Sequence, residues 1–254
     1  TTKTKTTKTM ASTTETGHAI NLANFEQLKH CVISFGNAYN PVPDKLKVAN
    51  LNSVGASATS AFDTLNTLNG QYLITISSRE NTFDAMRTIL ARVGKTAEVL
   101  GVNSTVLKAL RELIRKLRGE RAVAKKDQSA AVAEGETPIV YHSVSQLSFD
   151  QRIEHFSELV ALLQAQVEYK PNETALTVQS LTALLLNMRA TNTATVDAEI
   201  LLNNARNTRN DILYAPENGL VNIALDVKKY VLAVFGANSN EYKTVKKISF
   251  RKIF

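Results

Sequence analysis

Several residue types are scarce in this sequence. Its 254 residues include one cysteine, no tryptophan, five prolines and ten glycines. A single cysteine excludes an internal disulfide framework, and so little proline and glycine excludes collagen-like and low-complexity chains. The longest apolar runs, near Leu159–Leu163 and Val231–Phe235, are far shorter than the roughly 18 residues that suggest a membrane-spanning helix. No transmembrane segment is therefore expected.

The start of the sequence also lacks the charged-then-apolar pattern of a secretory signal. This absence predicts a cytoplasmic location by default. The alternative is a place in an extracellular or surface assembly, which applies if a segment before Thr1 has been removed.

Motifs that carry catalysis or bind cofactors are missing as well. The glycines form neither G-x-G-x-x-G nor a P-loop, and the sequence contains no G-x-S-x-G, H-E-x-x-H or paired C-x-x-C. Cys31 follows His30, but adjacent helical residues point about 100° apart, so the imidazole does not face the thiol. These absences predict a protein that is not an enzyme and holds no cofactor.

Metal ligands at useful spacings are equally scarce. The Glu-x-x-His spacing of di-metal helical bundles occurs at Glu15 and His18, near the polar start of the chain. Asp150, Glu154 and Glu158 share one helical face, but no matching carboxylates lie on the other predicted helices. A solvated acidic face explains this set, and no metal site is predicted.

Helical periodicity is the clearest pattern that the sequence does contain. An apolar stripe at spacings of three and four residues occurs twice. Its members are Phe25, Leu28, Val32 and Phe35 in one place, and Ile153, Phe156, Leu159, Val160, Leu163 and Val167 in the other. A proline stops each stripe, because the residue before proline avoids helical geometry. The predicted fold class is all-α.

Landmarks repeat along the chain at a fixed distance. Tyr39-Asn40-Pro41 and Tyr169-Lys170-Pro171 lie 130 residues apart. The same offset relates Leu46 to Leu176, Val48 to Val178, Leu51 to Leu181, Arg79 to Arg209 and Phe83 to Leu213. Leu100–Ser104 and Phe235–Ser239 match at an offset of 135, which an insertion near residues 216–219 explains. The sequence therefore predicts an internal duplication.

Two tandem repeats are predicted, each resembling a four-helix bundle and ending in a short basic amphipathic helix. The predicted organisation is a disordered tail rich in Thr and Lys (1–18), a first repeat (19–118), a linker (119–148) and a second repeat (149–254).

Local signals place the helices within each repeat. Asp44 and Asn172 are the predicted N-caps of the helices that follow the prolines. In the second repeat, this helix is expected to reach about Ala190, and a loop over Thr191–Thr195 separates it from a third helix that ends at Tyr214. A fourth helix covers Leu220–Phe235 and ends at Gly236. Asn103-Ser104 and Asn238-Ser239 are expected to cap the basic helices.

Charge is distributed unevenly along the chain. The net charge is +7, but residues 108–126 alone carry +6, residues 226–254 carry +5 and residues 1–18 carry +2. The remaining residues therefore carry −6. Basic ends on a mildly acidic body favour docking to anions, or to the acidic body of another copy of the chain.

The strongest functional signal is the pair of basic stretches. The predicted partner- or anion-binding residues are Lys108, Arg111, Arg115, Lys116 and Arg118 in the first repeat, and Lys243, Lys246, Lys247 and Arg251 in the second. A basic amphipathic helix binds anionic membrane surfaces, nucleic-acid phosphates or an acidic protein partner. The alternative is a solvated outer helix face, which is common on globular proteins.

The C-terminal sequence ends on apolar residues. Phe250, Ile253 and Phe254 form a possible assembly hook. An apolar tip is costly to leave in water, so this hook is expected either to pack on its own bundle or to insert into a neighbouring molecule.

The run from Val231 to Phe250 contains F-G-x-N-S-x-E-Y-K-x-V-K. This run resembles the ending of uncharacterised helical proteins that are common in bacteria of the Bacteroidetes group. The resemblance covers about 20 residues and implies a bacterial, all-helical protein, but no activity comes with it.

The leading functional hypothesis is a non-enzymatic structural or scaffold protein that self-associates into an oligomer, filament or array. Duplicated surfaces and basic ends on an acidic body favour head-to-tail contacts, which build open assemblies when the rotation does not close. The alternative partner is nucleic acid, bound through the basic helices. A membrane-active helical protein is a third interpretation.

Overall fold

The structure, a computed structural model, describes residues 13–120 and 148–252, and every regular element in these ranges is helical. The α-helices are α1 (Thr13–Ser34), α2 (Val48–Val99), α3 (Ser104–Arg118), α4 (Phe149–Gln164), α5 (Val178–Tyr214), α6 (Leu220–Phe235) and α7 (Asn240–Lys246). Short 3-10 helices lie at Gly36–Ala38, Asp44–Leu46 and Thr174–Leu176. The predicted all-α class is confirmed over the described residues.

The predicted tail, residues 1–18, overlaps the first helix. α1 begins at Thr13, and His18 within it is buried. The His18 ring packs against the Tyr214 ring, with 5.4 Å between centroids. This contact orders a segment that the apolar stripe alone does not include. Residues 1–12 and residues 121–147, most of the predicted linker, lie outside the described residues.

The predicted Thr191–Thr195 loop is wrong, because α5 runs through it without a break. The segment contains neither glycine nor proline, and threonine costs a helix only about 0.5 kcal/mol per residue. The hydroxyl of Thr195 donates to the Thr191 carbonyl at 2.8 Å and lies near the Thr75 carbonyl of α2 at 3.2 Å. Contacts of this kind stabilise a segment that its composition alone favours as a loop.

The predicted N-caps Asp44 and Asn172 are also wrong. A one-turn 3-10 helix separates each proline corner from the long helix that follows, and neither residue caps that helix. Asp44 forms an ion pair with Lys47, and the cap of α5 is Thr177, whose hydroxyl accepts from the Ser180 N–H at 3.2 Å.

The predicted ends around the basic helices are confirmed. Asn103 caps α3 by accepting from the Thr105 N–H, and Ser239 caps α7 by accepting from the Tyr242 N–H. Gly236 ends α6 with φ at 84°, a conformation that side chains other than hydrogen disfavour.

The described chain forms two compact units. Unit 1 holds the residues up to Gly70 and from Ile200 onward, and unit 2 holds those from Gln71 to Glu199. Unit 1 therefore contains α1, the start of α2, the end of α5, α6 and α7. Unit 2 contains the rest of α2, α3, α4 and the start of α5. The predicted boundaries, 19–118 and 149–254, do not delimit these units.

Each unit combines helices from both halves of the chain, where the first half is α1 to α3 and the second half is α4 to α7. In unit 1, α1 packs on α6 and α7, and in unit 2, α3 packs on α4. Phe25, Leu28 and Val32 of α1 are each 1% exposed in the core of unit 1. Burying three such side chains stabilises a fold by roughly 5–9 kcal/mol, comparable to the whole stability of a typical domain. Each core therefore depends on both halves.

The two halves share local detail at the predicted offset of 130. The Tyr39 hydroxyl donates to the Leu46 carbonyl at 2.7 Å, and the Tyr169 hydroxyl donates to the Leu176 carbonyl at 2.9 Å. The long helices α2 and α5 begin at equivalent residues, Val48 and Val178. When residues 51–70 are aligned with residues 181–200, each pair has the same degree of burial except the second pair, Asn52 and Thr182. The halves diverge at residues 215–219, where a turn separates α5 from α6 while α2 continues.

Candidate interaction surfaces

The basic helix α3 is fixed by its apolar face and by both of its ends. Leu110, Ile114 and Leu117 are buried in the core of unit 2, against α4. Gly119 ends the helix with φ at 74°, and its N–H bonds to the last carbonyls. The basic side chains are therefore held on the opposite, outer face.

Most of the predicted binding residues on α3 already have partners within the chain. Arg115 contacts Glu112 through two nitrogens, at 3.0 and 2.7 Å. Arg111 lies 3.6 Å from Glu98, and Arg118 lies 3.7 Å from Glu120. These interactions reduce the positive charge that α3 offers to another molecule.

The two remaining basic residues of α3 are Lys116 and Lys108. The charge of Lys116 helps to lower the pKa of the Glu112 carboxyl, although the hydrogen bond from Arg115 is the main cause. Lys108 is exposed and, among the described residues, has no carboxylate at ion-pair distance. α3 is therefore a largely compensated basic face.

The basic helix α7 is held by its core contacts and by a lysine from α6. Val245 and Ile248 are buried in the core of unit 1. The Lys228 ammonium donates to the Ile248 carbonyl at 2.7 Å and to the Lys246 carbonyl at 3.3 Å. Burial lowers the pKa of Lys228. This lysine satisfies carbonyl groups that a helix end otherwise leaves open.

The predicted binding residues at α7 are uncompensated. Lys243, Lys246, Lys247 and Arg251 are all exposed. Within the described parts of the chain, none of them lies at ion-pair distance from a carboxylate. The structure thus distinguishes the two predicted basic stretches, because α7 and the residues after it offer free cationic groups and α3 offers few.

The chain after α7 binds back onto α1. Asn21 donates to the Arg251 carbonyl at 2.7 Å and accepts from the Arg251 N–H at 3.1 Å. Asn24 donates to the Ser249 carbonyl at 2.7 Å. Phe250, a predicted hook residue, is half-buried against the core of its own unit. The other hook residues, Ile253 and Phe254, lie outside the described residues.

Unpaired carboxylates lie on the two long helices. They are Asp63, Glu80 and Asp84 on α2, and Asp197, Glu199 and Asp211 on α5. All six are exposed, and no lysine or arginine among the described residues lies at ion-pair distance from them. The sequence showed these carboxylates only as part of a total charge, because pairing depends on which helices pack together.

Sequence reasoning missed the contacts that hold these surfaces in place. Asn21 falls four residues before Phe25, on the line of the apolar stripe, and this position was the available sequence signal of a polar anchor. The structure shows that Asn21 is buried and hydrogen-bonded there. No local sequence pattern indicated the role of Lys228, since its carbonyl acceptors lie about 20 residues further along the chain.

The structure places the residues that were considered for catalysis and metal binding in separate local environments. Burial raises the pKa of the Cys31 thiol, which disfavours the reactive thiolate. Asp150 accepts from the Asn192 amide at 2.8 Å, and His155 lies 3.7 Å from Glu158. Across residues 16–120 and 148–252, no three His, Cys, Asp or Glu side chains come together as metal ligands, and the side chain of Glu15 lies outside the described residues.

Unit 1 has two shallow, open cavities. One of about 500 Å³ includes Lys45, Asp226 and Lys229 in its lining, and one of about 260 Å³ includes Asn24 and Lys247. Asp226 already accepts hydrogen bonds from Lys45 and Lys229 in the larger cavity, and the bond from Lys45 is the main reason why the pKa of Asp226 is lowered. These open polar hollows lack the apolar enclosure that is typical of small-molecule sites.

No helix in the described part of the chain is long and apolar enough to cross a membrane. Comparisons with family models, with curated proteins and with solved structures find no match to this chain.

Proposed function

We propose that this protein is a non-enzymatic structural or scaffold protein that self-associates into an oligomer, filament or array. The observation that carries the proposal is uncompensated charge of both signs on different helices. Lys243, Lys246 and Lys247 are exposed without a carboxylate partner among the described residues, and Asp197 and Glu199 are exposed without a basic partner in those same ranges. Every copy of the chain therefore offers free groups of both signs, which contacts between copies can pair.

Contacts between two different surfaces are heterologous, and they extend into open assemblies when the rotation does not close. An exposed ion pair contributes only about 0–1 kcal/mol and weakens with salt. Several pairs must therefore form together at each contact. Assembly is expected to grow with protein concentration and to weaken as salt is raised.

We further propose that the two halves are tandem copies of one helical repeat. The shared tyrosine bonds and the matching burial of residues 51–70 and 181–200 support this origin. Duplication provides two related helical surfaces in each molecule, which is useful in a scaffold.

Charge exchange tests the proposal. A basic-to-acidic variant carries K243E, K246E and K247E, and an acidic-to-basic variant carries D197K and E199K. Each variant alone is expected to remain small in multi-angle light scattering over a tenfold concentration range at low salt, because like charges then meet. An equimolar mixture is expected to recover the assembly, because the two variants complement each other.

The matched control is T244E on α7, which adds one exposed negative charge and removes no lysine. This control is expected to assemble nearly as the wild type does. The proposal fails if the wild type stays a monomer of 27.9 kDa at tens of micromolar, or if both variants assemble as well as the wild type.

Nucleic-acid binding is the second candidate function, and the free lysines of α7 favour it. Phosphates release counterions on contact with such groups, so affinity should fall steeply with salt. The basic-to-acidic variant would then lose binding to a DNA duplex, whereas the acidic-to-basic variant would bind more tightly. If the protein instead only self-associates, neither of these variants is expected to bind DNA at physiological salt.

A further inference from the structure

The helices that complete each core come from opposite halves of the chain. In unit 1, α1 and the start of α2 pack with the end of α5, α6 and α7. In unit 2, the remainder of α2 and α3 pack with α4 and the start of α5. Neither half contains a complete core, so each half requires the other.

Buried apolar side chains join the two halves in the core of unit 1. Phe25, Leu28 and Val32 of the first half meet Val227 and Val231 of the second half in the unit 1 core. All five side chains are at most 1% exposed. A half that does not find its complement therefore exposes a large apolar face, which drives it onto any complementary half that is present.

The contacts at the margin of this core are specific. Lys45 of the first half pairs with Asp226 of α6 at 2.7 Å. The rings of Phe35 and Phe235 lie 5.3 Å apart, and those of Tyr39 and Tyr230 lie 5.3 Å apart at 87°. These contacts orient the first half on the second half, whichever chain supplies each of them.

We infer that two copies of this chain exchange halves, so that the first half of one chain completes both cores with the second half of another. The partner is thus a second copy, and the surface is the core itself. This inference rests on the proposed self-association and names how two chains join. Exchange leaves every core contact described above unchanged, and domain swapping of this kind is a low-cost route to dimers.

Exchange has a kinetic signature. Separating the halves opens both cores, so a folded monomer does not exchange readily, and an exchanged dimer does not dissociate readily. The partner is chosen while the chain folds. The dimer fraction should therefore follow the protein concentration during refolding, and later dilution or salt should not change it.

Cross-linking across the halves tests the inference in the full-length chain. In a Cys31→Ala background, K45C and D226C replace the ion pair that joins the two halves. The protein is refolded from urea at 1 and at 100 µM, diluted to one concentration, and treated with a short bismaleimide. Denaturing gels then show whether the link lies within one chain or joins two.

The control pair is E98C and R111C, whose parent side chains lie 3.6 Å apart within the first half. Its link stays within one chain whether or not the halves exchange. Circular dichroism of each variant before cross-linking, compared with that of the Cys31→Ala parent, establishes that it has folded.

The expected result is a covalent dimer from K45C/D226C that is at least fivefold more abundant after refolding at 100 µM than at 1 µM, with no dimer from E98C/R111C. Single-chain links at both concentrations would overturn the inference. Salt-sensitive oligomers that contain only single-chain links would overturn exchange and leave the proposed charge contacts standing. Exchanged dimers that never associate further would support exchange and overturn the proposed charge contacts.

Discussion

Tyr39 and Tyr169 each close the corner between the first two α-helices of their half. Both are buried, and each hydroxyl donates to a carbonyl seven residues further along the chain. The sequence identified the two tyrosines as landmarks, because the Tyr-x-Pro pattern recurs at a fixed offset. Their role could not be predicted, since the bond depends on how the turn between them and the 3-10 helix brings distant residues together.

Replacing either tyrosine by phenylalanine should destabilise the protein by about 1–2 kcal/mol, because a buried carbonyl then loses its donor. Urea unfolding followed by circular dichroism measures the loss. Tyr72→Phe is the matched control, since the hydroxyl of Tyr72 has no hydrogen-bond partner in the described ranges, and it should change the free energy of unfolding by less than about 0.5 kcal/mol. Equal effects of all three substitutions would contradict this role.

The burial of Tyr169 also predicts a response to alkaline pH. Burial raises the pKa of Tyr169 to about 12, whereas an unfolded tyrosine titrates near 10 at about its ordinary pKa. A raised pKa in the folded state means that the contribution to stability is complete below about pH 10 and is lost as the pH rises towards 12. Stability of the wild type should fall more steeply over this interval than that of Tyr169→Phe, and parallel curves would refute the assignment.

At the scale of elements, α5 shows where sequence patterns mislead. The polar run at Thr191–Thr195 resembles a loop in composition, yet it continues a helix of 37 residues. The glycine that ends α6, the caps of α3 and α7 and most of the apolar stripes of α1 and α4 were predictable, since each depends on neighbouring residues. Phe35 and Val167, the predicted last members of the stripes, lie beyond the helix ends, and Val167 is 73% exposed. The continuity of α5 depends on contacts such as that between Thr195 and Thr75, which no local pattern contains.

Proline substitution distinguishes a helix from a loop at this position. Thr193 is exposed in the middle of the segment. Thr193→Pro should destabilise the protein by about 3 kcal/mol or more, because proline removes a helical hydrogen bond and clashes with the preceding turn. Thr193→Ala should stabilise it by up to about 0.5 kcal/mol. Thermal unfolding measures both, and a tolerated proline would restore the loop interpretation.

At the scale of the whole molecule, an apolar stripe predicts that one face of a helix is buried, but it does not predict which helix covers that face. The cores of units 1 and 2 have similar chemistry, so hydrophobic patterns do not distinguish a partner in the same half from one in the other half. The repeated landmarks were therefore visible in the sequence, whereas the composite units were not. The pairing of individual charges was hidden for the same reason.

Cleavage between the halves tests this composite arrangement. A protease recognition sequence is inserted within residues 121–147, and the folded protein is cut there. The two fragments should co-elute from a sizing column at the mass of the uncut chain, and should separate only in denaturant. Fragments that part under native conditions would show that each half folds by itself. An uncut sample carrying the same insertion is the control.

The composite units also impose an order of events on the ribosome. Unit 2 can be completed once residue 199 has emerged, but α1 must wait for α6 and α7, which follow all the other described helices along the chain. At about 5–20 residues per second, this wait is roughly 10–40 s. Throughout that time the nascent chain presents the apolar stripe of α1 to chaperones and to chains on neighbouring ribosomes of the same message. Translation speed and ribosome spacing should therefore help to decide which chain supplies the helices that finally cover it.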